Sequence, residues 1–314
     1  MEEFMNRLTV DLIIPTYKPG KEFSALLKKI KIQTYPVRNI IVMNTEKQYW
    51  DSRWEKMAAN MQVHHITRSE FDHGGTRAKA AELSDADLLF FMTQDAVPAD
   101  EYLVENLVKP FSMESVKASY ARQLPRKDCR FLEAYTRSFN YPDKSSLKDL
   151  GDLPELGIKT FFCSNVCAMY ERAAYQDLGG FIRRTIFNED MIFAGRLIQD
   201  GYTIAYSADA MVYHSHNYTG MQQLHRNFDL AVSQADHPEI FGGISSEGEG
   251  IRMVRSTAKY LWDKKRPWLI AELIWQSGCK YIGYFLGKRY RLLPSAAVRS
   301  LTMDPSYWEK GNTM

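Results

Sequence analysis

No stretch of about 18 uncharged apolar residues occurs in this 314-residue chain, so no membrane-spanning helix is expected. The nearest run, Leu269 to Gly287, is interrupted by Glu272 and Lys280. The N-terminus, MEEFMNRLTVDLIIPTY, has neither a basic n-region nor a small-residue cleavage site, so no secretory signal is expected. Cysteine is scarce. Cys129, Cys163, Cys167 and Cys279 include no CxxC pair, which excludes a disulfide framework and favours reduced thiols in a cytoplasmic protein. There is no P-loop, no GxGxxG and no internal repeat. Hydrophobic residues at 45% and charged residues at 25% are ordinary globular usage, and the length suits one large domain or a domain with an appendage.

Net charge is also small, at +2, but it is unevenly placed. Residues 251–302 hold eleven Lys/Arg against Asp263 and Glu272, a local charge of +9 that leaves −7 for the rest. The same segment interleaves Tyr260, Trp262, Trp268, Trp275, Tyr281, Tyr284, Phe285 and Tyr290 with its cations. Such asymmetry points to an anionic partner. The expectation taken is the cytoplasmic membrane surface; packing on the catalytic domain or on a second subunit, as in a homodimer, is the alternative. No nucleic-acid motif accompanies the pattern.

The first hundred residues alternate strand and helix patterns. Val10–Pro15, Asn39–Met43, Gln62–Thr67 and Asp87–Met92 read as strands. Phe23, Leu26, Leu27 and Ile30 fall at helical spacing, and Thr76–Leu83 reads as a second helix. This implies an α/β fold with a mostly parallel central sheet and helices on both faces. Ligands gather at the carboxyl ends of such strands. Those ends carry Pro15-Thr16-Tyr17, Asn44-Thr45, Asp72-His73-Gly74-Gly75 and Thr93-Gln94-Asp95. Further on, Ser115–Arg122 and Lys159–Tyr170 read as strands around a long loop, Pro125–Pro154. A helix from Asn188 to Gly201, short strands Thr203–Tyr206 and Met211–Tyr213, and a helix Met221–Ser233 follow. The glycine- and acid-rich stretch Ile240–Gly250 marks a boundary between a catalytic domain, 1–240, and a basic, aromatic helical region, 241–314.

Several residues suit chemistry. Asp95 ends a buried strand, where a carboxylate can bind a hard divalent cation or simply cap a turn. Asn188-Glu189-Asp190 opens a helix; the dipole alone favours acids there, and a general base is the functional reading. That reading needs Asp190 to face the cleft and Glu189 to face elsewhere. In His214-Ser215-His216, residues i and i+2 share a face; a zinc pair, one His completing a metal or diphosphate site, and plain turn residues all remain open. In FDHGGTR the Gly-Gly pair would let backbone approach an anion at a helix start, or form a tight loop with Arg77 paired to an acid.

Taken in order, VDLIIPTYKPG, IIVMNTE, FDHGGTRAKA, FFMTQDAVPAD, NEDMIFAGRLIQDGY and VYHSH resemble a family-2 glycosyltransferase of the GT-A, nucleotide-diphospho-sugar fold, over about residues 8–235. FDHGGTR and TQDAVPAD further resemble bacterial rhamnosyltransferases of cell-wall rhamnose polysaccharide and O-antigen synthesis. The resemblance implies an inverting enzyme using dTDP-rhamnose and Mg²⁺ or Mn²⁺, acting on an undecaprenyl-linked glycan acceptor. By it, Pro15, Thr16 and Tyr17 touch the nucleoside, Asn44 lies near the base, and Asp72, Arg77 and Gln94 join the nucleotide site. Asp95 ends the metal motif, with Thr93 in place of its first acid, and His216 holds metal or diphosphate. Ser164 and Asn165 lie beside the donor sugar, and Asp190 is the base. UDP-hexose donors, a nucleotidyltransferase and a non-catalytic protein of the same fold are the competing readings. The PTYKPGK segment argues against the nucleotidyltransferase, because it lacks that class's Gly-rich, Arg-containing loop.

Overall fold

The computed structural model describes residues 7–244 and 247–309. Their contacts divide the chain into two compact units. The first comprises Met1–Leu124, Tyr141–Arg183 and Glu189–His214; the second comprises Pro125–Asn140, Arg184–Asn188 and Ser215–Met314. The division therefore falls earlier than the change of composition near residue 240.

The first unit is built on one nine-stranded sheet. Its strands are β1 (Val10–Tyr17), β2 (Asn39–Thr45), β3 (Met61–Ile66), β4 (Leu88–Met92), β5 (Val97–Pro98), β6 (Val116–Leu124), β7 (Ser146–Lys148), β8 (Cys167–Glu171) and β9 (Thr203–Tyr213). The order is β3-β2-β1-β4-β8-β6-β9-β5, with β7 also paired to β9. The half from β3 to β4 is all parallel, as alternating strand and helix demand. In β1, Ile13 lies opposite Ile41 of β2 and Phe91 of β4. Val10, Leu12 and Ile14 pack on one face with Phe23, Leu26 and Ile30 of α1 (Lys21–Ile30). On the other, Phe91 meets a cluster of Tyr170, Tyr175 and Phe181 rings. All five residues of β4 are buried, consistent with a strand covered on both faces.

Beyond β4 the sheet is mixed. Strand β8 is antiparallel to both β4 and β6, while β6 and β9 are parallel. Three expectations change here. The run Lys159–Tyr170 is not one strand: Gly157–Phe161 is a 3₁₀ turn and β8 begins at Cys167. The two short strands after Gly201 are one, β9, whose register against β6 shifts between Ala121 and Arg122. The long loop Pro125–Pro154 contains β7 and the helix Phe131–Asn140.

The second unit is helical. Its main members are α4 (Gly220–Asp236), α5 (Glu247–Asp263) and α6 (Leu269–Gly287), taking α2 as His73–Ala81 and α3 as Glu189–Gln199 in the first unit. A capping box at Thr219 and Gln222 starts α4. Part of the Ile240–Gly250 loop is helical, since Pro238–Phe241 forms one turn and α5 starts at Glu247. Helix α6 lies against α4 without spacers. A Cβ on Gly283 would stand 2.1 Å from the Leu224 carbonyl oxygen, and one on Gly287 2.3 Å from that of Phe228. Phe228, Val232, Ile186, Tyr290 and Val298 form the unit's core. Asp229 accepts from Thr302 Oγ1 at 2.6 Å and from the Met303 N–H at 2.8 Å, which seats the C-terminal turns.

Candidate active site

The first unit gathers most of the expected residues at the carboxyl ends of its parallel strands. Gln94, just past β4, bonds the Tyr17 backbone twice: its Oε1 accepts from Tyr17 N and its Nε2 donates to Tyr17 O, both at 2.9 Å. The side chain thus extends the β1–β4 pairing by one step. Thr16 Oγ1 donates to Asn44 Oδ1 at 3.0 Å, and Asn44 Nδ2 lies 3.0 Å from His65 Nδ1 and 3.2 Å from Glu46 O. Asn44 is fully buried. Tyr17, following Pro15, is exposed and meets Tyr49 edge to face, with Lys18 Nζ over both rings.

The FDHGGTR segment folds for a local reason. Asp72 is the N-cap of α2, its Oδ1 accepting from Gly75 N at 2.7 Å. The close backbone approach that the glycines permit is to the chain itself. A Cβ on Gly74 would lie 1.9 Å from the Ile182 carbonyl oxygen, and one on Gly75 2.5 Å from that of Arg183. Arg77 does have an acid partner. It is buried, with its Nη1 3.1 Å from Glu189 Oε1 and bonded to His73 O at 2.8 Å.

This pairing separates the two acids at the start of α3. Glu189 is buried against Arg77, whose charge holds its carboxyl below the usual range despite burial. Asp190 is half-buried; its Oδ2 accepts from Asn165 N at 3.0 Å and its Oδ1 from Met191 N at 2.8 Å. Burial, and then the negative Glu189 beside it, push the Asp190 carboxyl up to about 7. Asn165 organises both acids. Its Nδ2 donates to Glu189 Oε1 at 3.2 Å, while its Oδ1 accepts from Tyr170 OH at 3.0 Å.

Asp95 stands past β4, with its Oδ2 3.6 Å from His214 Nε2. Gln123 sets that imidazole. Its Nε2 donates to Ser164 Oγ at 3.1 Å and to Tyr141 OH at 2.5 Å, so its Oε1 is the acceptor 2.9 Å from His214 Nδ1. Nδ1 therefore carries the proton, which in the neutral ring leaves the Nε2 lone pair facing Asp95. Two acceptors facing each other call for a positive charge between them. The buried Thr93 Oγ1, two residues before Asp95, has no hydrogen-bond partner. His216, which the family resemblance implies as a holder of metal or diphosphate, lies two residues on, in the second unit. Gln123 was missed altogether; the only signal was a lone amide late in a strand pattern.

A mostly parallel sheet at whose carboxyl edge a carboxylate and an imidazole face each other, with α3 opening on a carboxyl raised toward neutral pH, suits a group-transfer enzyme for a phosphate-bearing substrate. The sequence profile of glycosyl transferase family 2 matches residues 11–179. The chain belongs to that family and is a glycosyltransferase. It is 40% identical over 305 residues to the O-antigen chain rhamnosyltransferase RfbN of Salmonella typhimurium (strain LT2), covering 96% of each chain. It is 39% identical over 302 residues to the O-antigen chain rhamnosyltransferase WbaN of Salmonella anatum, covering 95% of each. The fold is similar to that of the mannosyltransferase PcManGT of Pyrobaculum calidifontis, solved with GDP-Man and Mn²⁺ (TM-score 0.57, 16% identity, 98% of this chain and 89% of that one). That likeness is to the GT-A fold alone.

Proposed function

We propose that the enzyme moves L-rhamnose from dTDP-rhamnose to a hydroxyl of a lipid-linked glycan, with inversion at the anomeric carbon, in O-antigen-type polysaccharide synthesis. The carrying observation is Asp190: a carboxyl fixed by two backbone N–H groups and raised to about 7, beside Glu189, which Arg77 holds ionised. It accepts the acceptor hydroxyl's proton as that oxygen attacks the anomeric carbon. The bond to the nucleoside diphosphate breaks on the opposite face, and the diphosphate leaves with the bonding pair. No covalent sugar–enzyme bond is required, in contrast to a retaining hydrolase. The donor rests on the likeness to the two rhamnosyltransferases, which runs nearly the full length of the chain.

The donor set fits a hard divalent cation such as Mn²⁺ or Mg²⁺: one carboxylate oxygen and an oriented imidazole nitrogen, with the unbonded Thr93 hydroxyl two residues before the carboxylate in the chain. Asp95 and His214 each offer a ligand atom, and these two would hold it. The ion would neutralise charge on the leaving diphosphate. Tyr17, with Pro15 and Thr16, would face the nucleoside, and Asn44 and Gln94 would shape that loop from beneath. Asp72 and Arg77 would complete the nucleotide side through α2, and Ser164 and Asn165 the sugar side.

A donor panel read by nucleoside diphosphate release tests the reading. Release from dTDP-rhamnose is expected, and release from UDP-hexoses alone would overturn the donor. Asp190→Asn is expected to lose at least about 10²-fold in turnover, the low end for a positioned base, with donor affinity little changed. Because a base must be ionised, wild-type turnover should fall as pH drops through about 7, and this acid limb should vanish in Asp190→Asn. Near-normal turnover of the variant would remove Asp190 from the mechanism.

A further inference from the structure

Helix α6 is apolar on both sides. One side, with Leu273, Cys279, Gly283 and Gly287, is buried. The other stays open: Ile274 is 65% exposed, Trp275 60%, Tyr281 60%, Ile282 49% and Phe285 42%. These positions, with Gly278 between them, recur at i, i+1, i+4, i+7, i+8 and i+11, which is one continuous helix face. From Ile274 to Phe285 the stripe is about 16 Å long at about 1.5 Å per residue. Isolated exposed apolar residues are normal on a soluble surface; a stripe with three aromatic side chains and two isoleucines marks an interaction site.

Cations stand at both ends of the stripe. Lys264, Lys265 and Arg266 are exposed on the N-terminal side, beside Trp262 and Trp268 at 71% and 67% exposure. Lys288 and Arg289 are exposed on the C-terminal side, where Arg289 lies over the Phe285 ring. The charge decides the occupant. A second copy seated on this face would set one +9 segment against another. A neutral apolar partner would leave the flanking cations unused. An anionic bilayer uses every part: aliphatic side chains enter the acyl boundary, Trp and Tyr settle at headgroup level, and Lys and Arg meet lipid phosphates. No helix among the described residues is long and apolar enough to cross a membrane, so any such contact lies in the plane of the surface. The Gly283–Gly287 spacing, which in a spanning helix would suggest membrane dimerisation, here seats α6 on α4.

We propose that the open face of α6 is a bilayer-docking surface, specific for anionic lipid, which holds the enzyme at a membrane by apolar insertion and flanking charge. The inference does not depend on which sugar nucleotide is the donor.

Sedimentation of the full-length protein with lipid vesicles tests it. Binding is expected to vesicles of mixed phosphatidylcholine and phosphatidylglycerol at low salt and not to phosphatidylcholine alone. It should weaken at 1 M salt, where the screening length falls to about 3 Å. Replacing Lys264, Lys265 and Arg266 by Gln should cost about fivefold in partition per charge, the equivalent of about 1 kcal/mol each. Ile274→Asp with Ile282→Asp should abolish binding while donor hydrolysis stays at the wild-type rate, which also shows that the variant is folded. Failure of the intact protein to bind the mixed vesicles at low salt would overturn the proposal. So would a solution dimer that Ile282→Asp dissolves, because the stripe would then be a self-interface.

Discussion

Glu189 and Asp190 are chemically alike and adjacent, yet one is a buried counter-ion and the other is poised near neutrality. The sequence shows two acids at a helix start and the requirement that one face inward. It cannot show that Arg77, from a different helix, selects Glu189, because that choice is made by tertiary packing. The pair gives a test that separates structure from binding. Arg77→Met leaves Glu189 buried without its cation, which should cost about 3–5 kcal/mol in urea unfolding. Adding Glu189→Gln to that variant should recover part of the loss. If Arg77→Met instead weakens nucleotide binding at unchanged stability, Arg77 is a ligand contact and the ion pair is incidental. The histidines show the same limit. The HSH pattern places two imidazoles on one face, but the orientation of the His214 ring toward Asp95 is set by Gln123, a lone amide in no motif.

Elements with a clear period were readable from the chain: β1, β2, β4 and α1 lie within a residue or two of where apolar runs and helical spacing put them. The error at Lys159–Tyr170 has a physical cause. Its apolar letters suit a strand, but the buried Lys148 ammonium binds the carbonyls of Lys159 and Phe162, taking acceptors a ladder would need. Burial pushes that ammonium down to about 7. No local pattern announces a lysine that folds inward. At the α4–α6 contact the sequence signal is present but quiet, two glycines four apart. Gly283→Ala would force a Cβ to 2.1 Å from the Leu224 carbonyl oxygen, so the helices must separate. We expect a loss of about 1–3 kcal/mol, the usual range for overpacking. Gly278→Ala, whose Cβ would meet nothing within 4 Å, should instead stabilise by up to about 1 kcal/mol through helix propensity. Equal effects of the two, measured by thermal or urea unfolding, would show that α6 is not seated through Gly283.

Across the whole chain the +9 of residues 251–302 leaves −7 for the remainder. That remainder contains Asp95 and Asp190, acids expected in the site of a donor whose diphosphate is itself anionic. Like charges at such a site oppose binding, and one close arginine, Arg77, is already engaged by Glu189. Donor affinity should therefore depend on an added cation, and binding linkage makes this measurable without turnover. A ligand that binds only the folded state at 100 times its dissociation constant stabilises by about 2.7 kcal/mol. We expect Mn²⁺ and dTDP together to raise the melting temperature more than the sum of their separate shifts, since each neutralises the other. EDTA should abolish most of the dTDP shift. Asp95→Ala and His214→Ala should each lose the cooperative part when compared with their own unliganded melting points, while Asp190→Asn should keep it. A dTDP shift that is the same in EDTA as in Mn²⁺ would mean that protein groups alone carry the diphosphate. The Asp95–His214 pair would then be bridged by a proton instead of a metal ion.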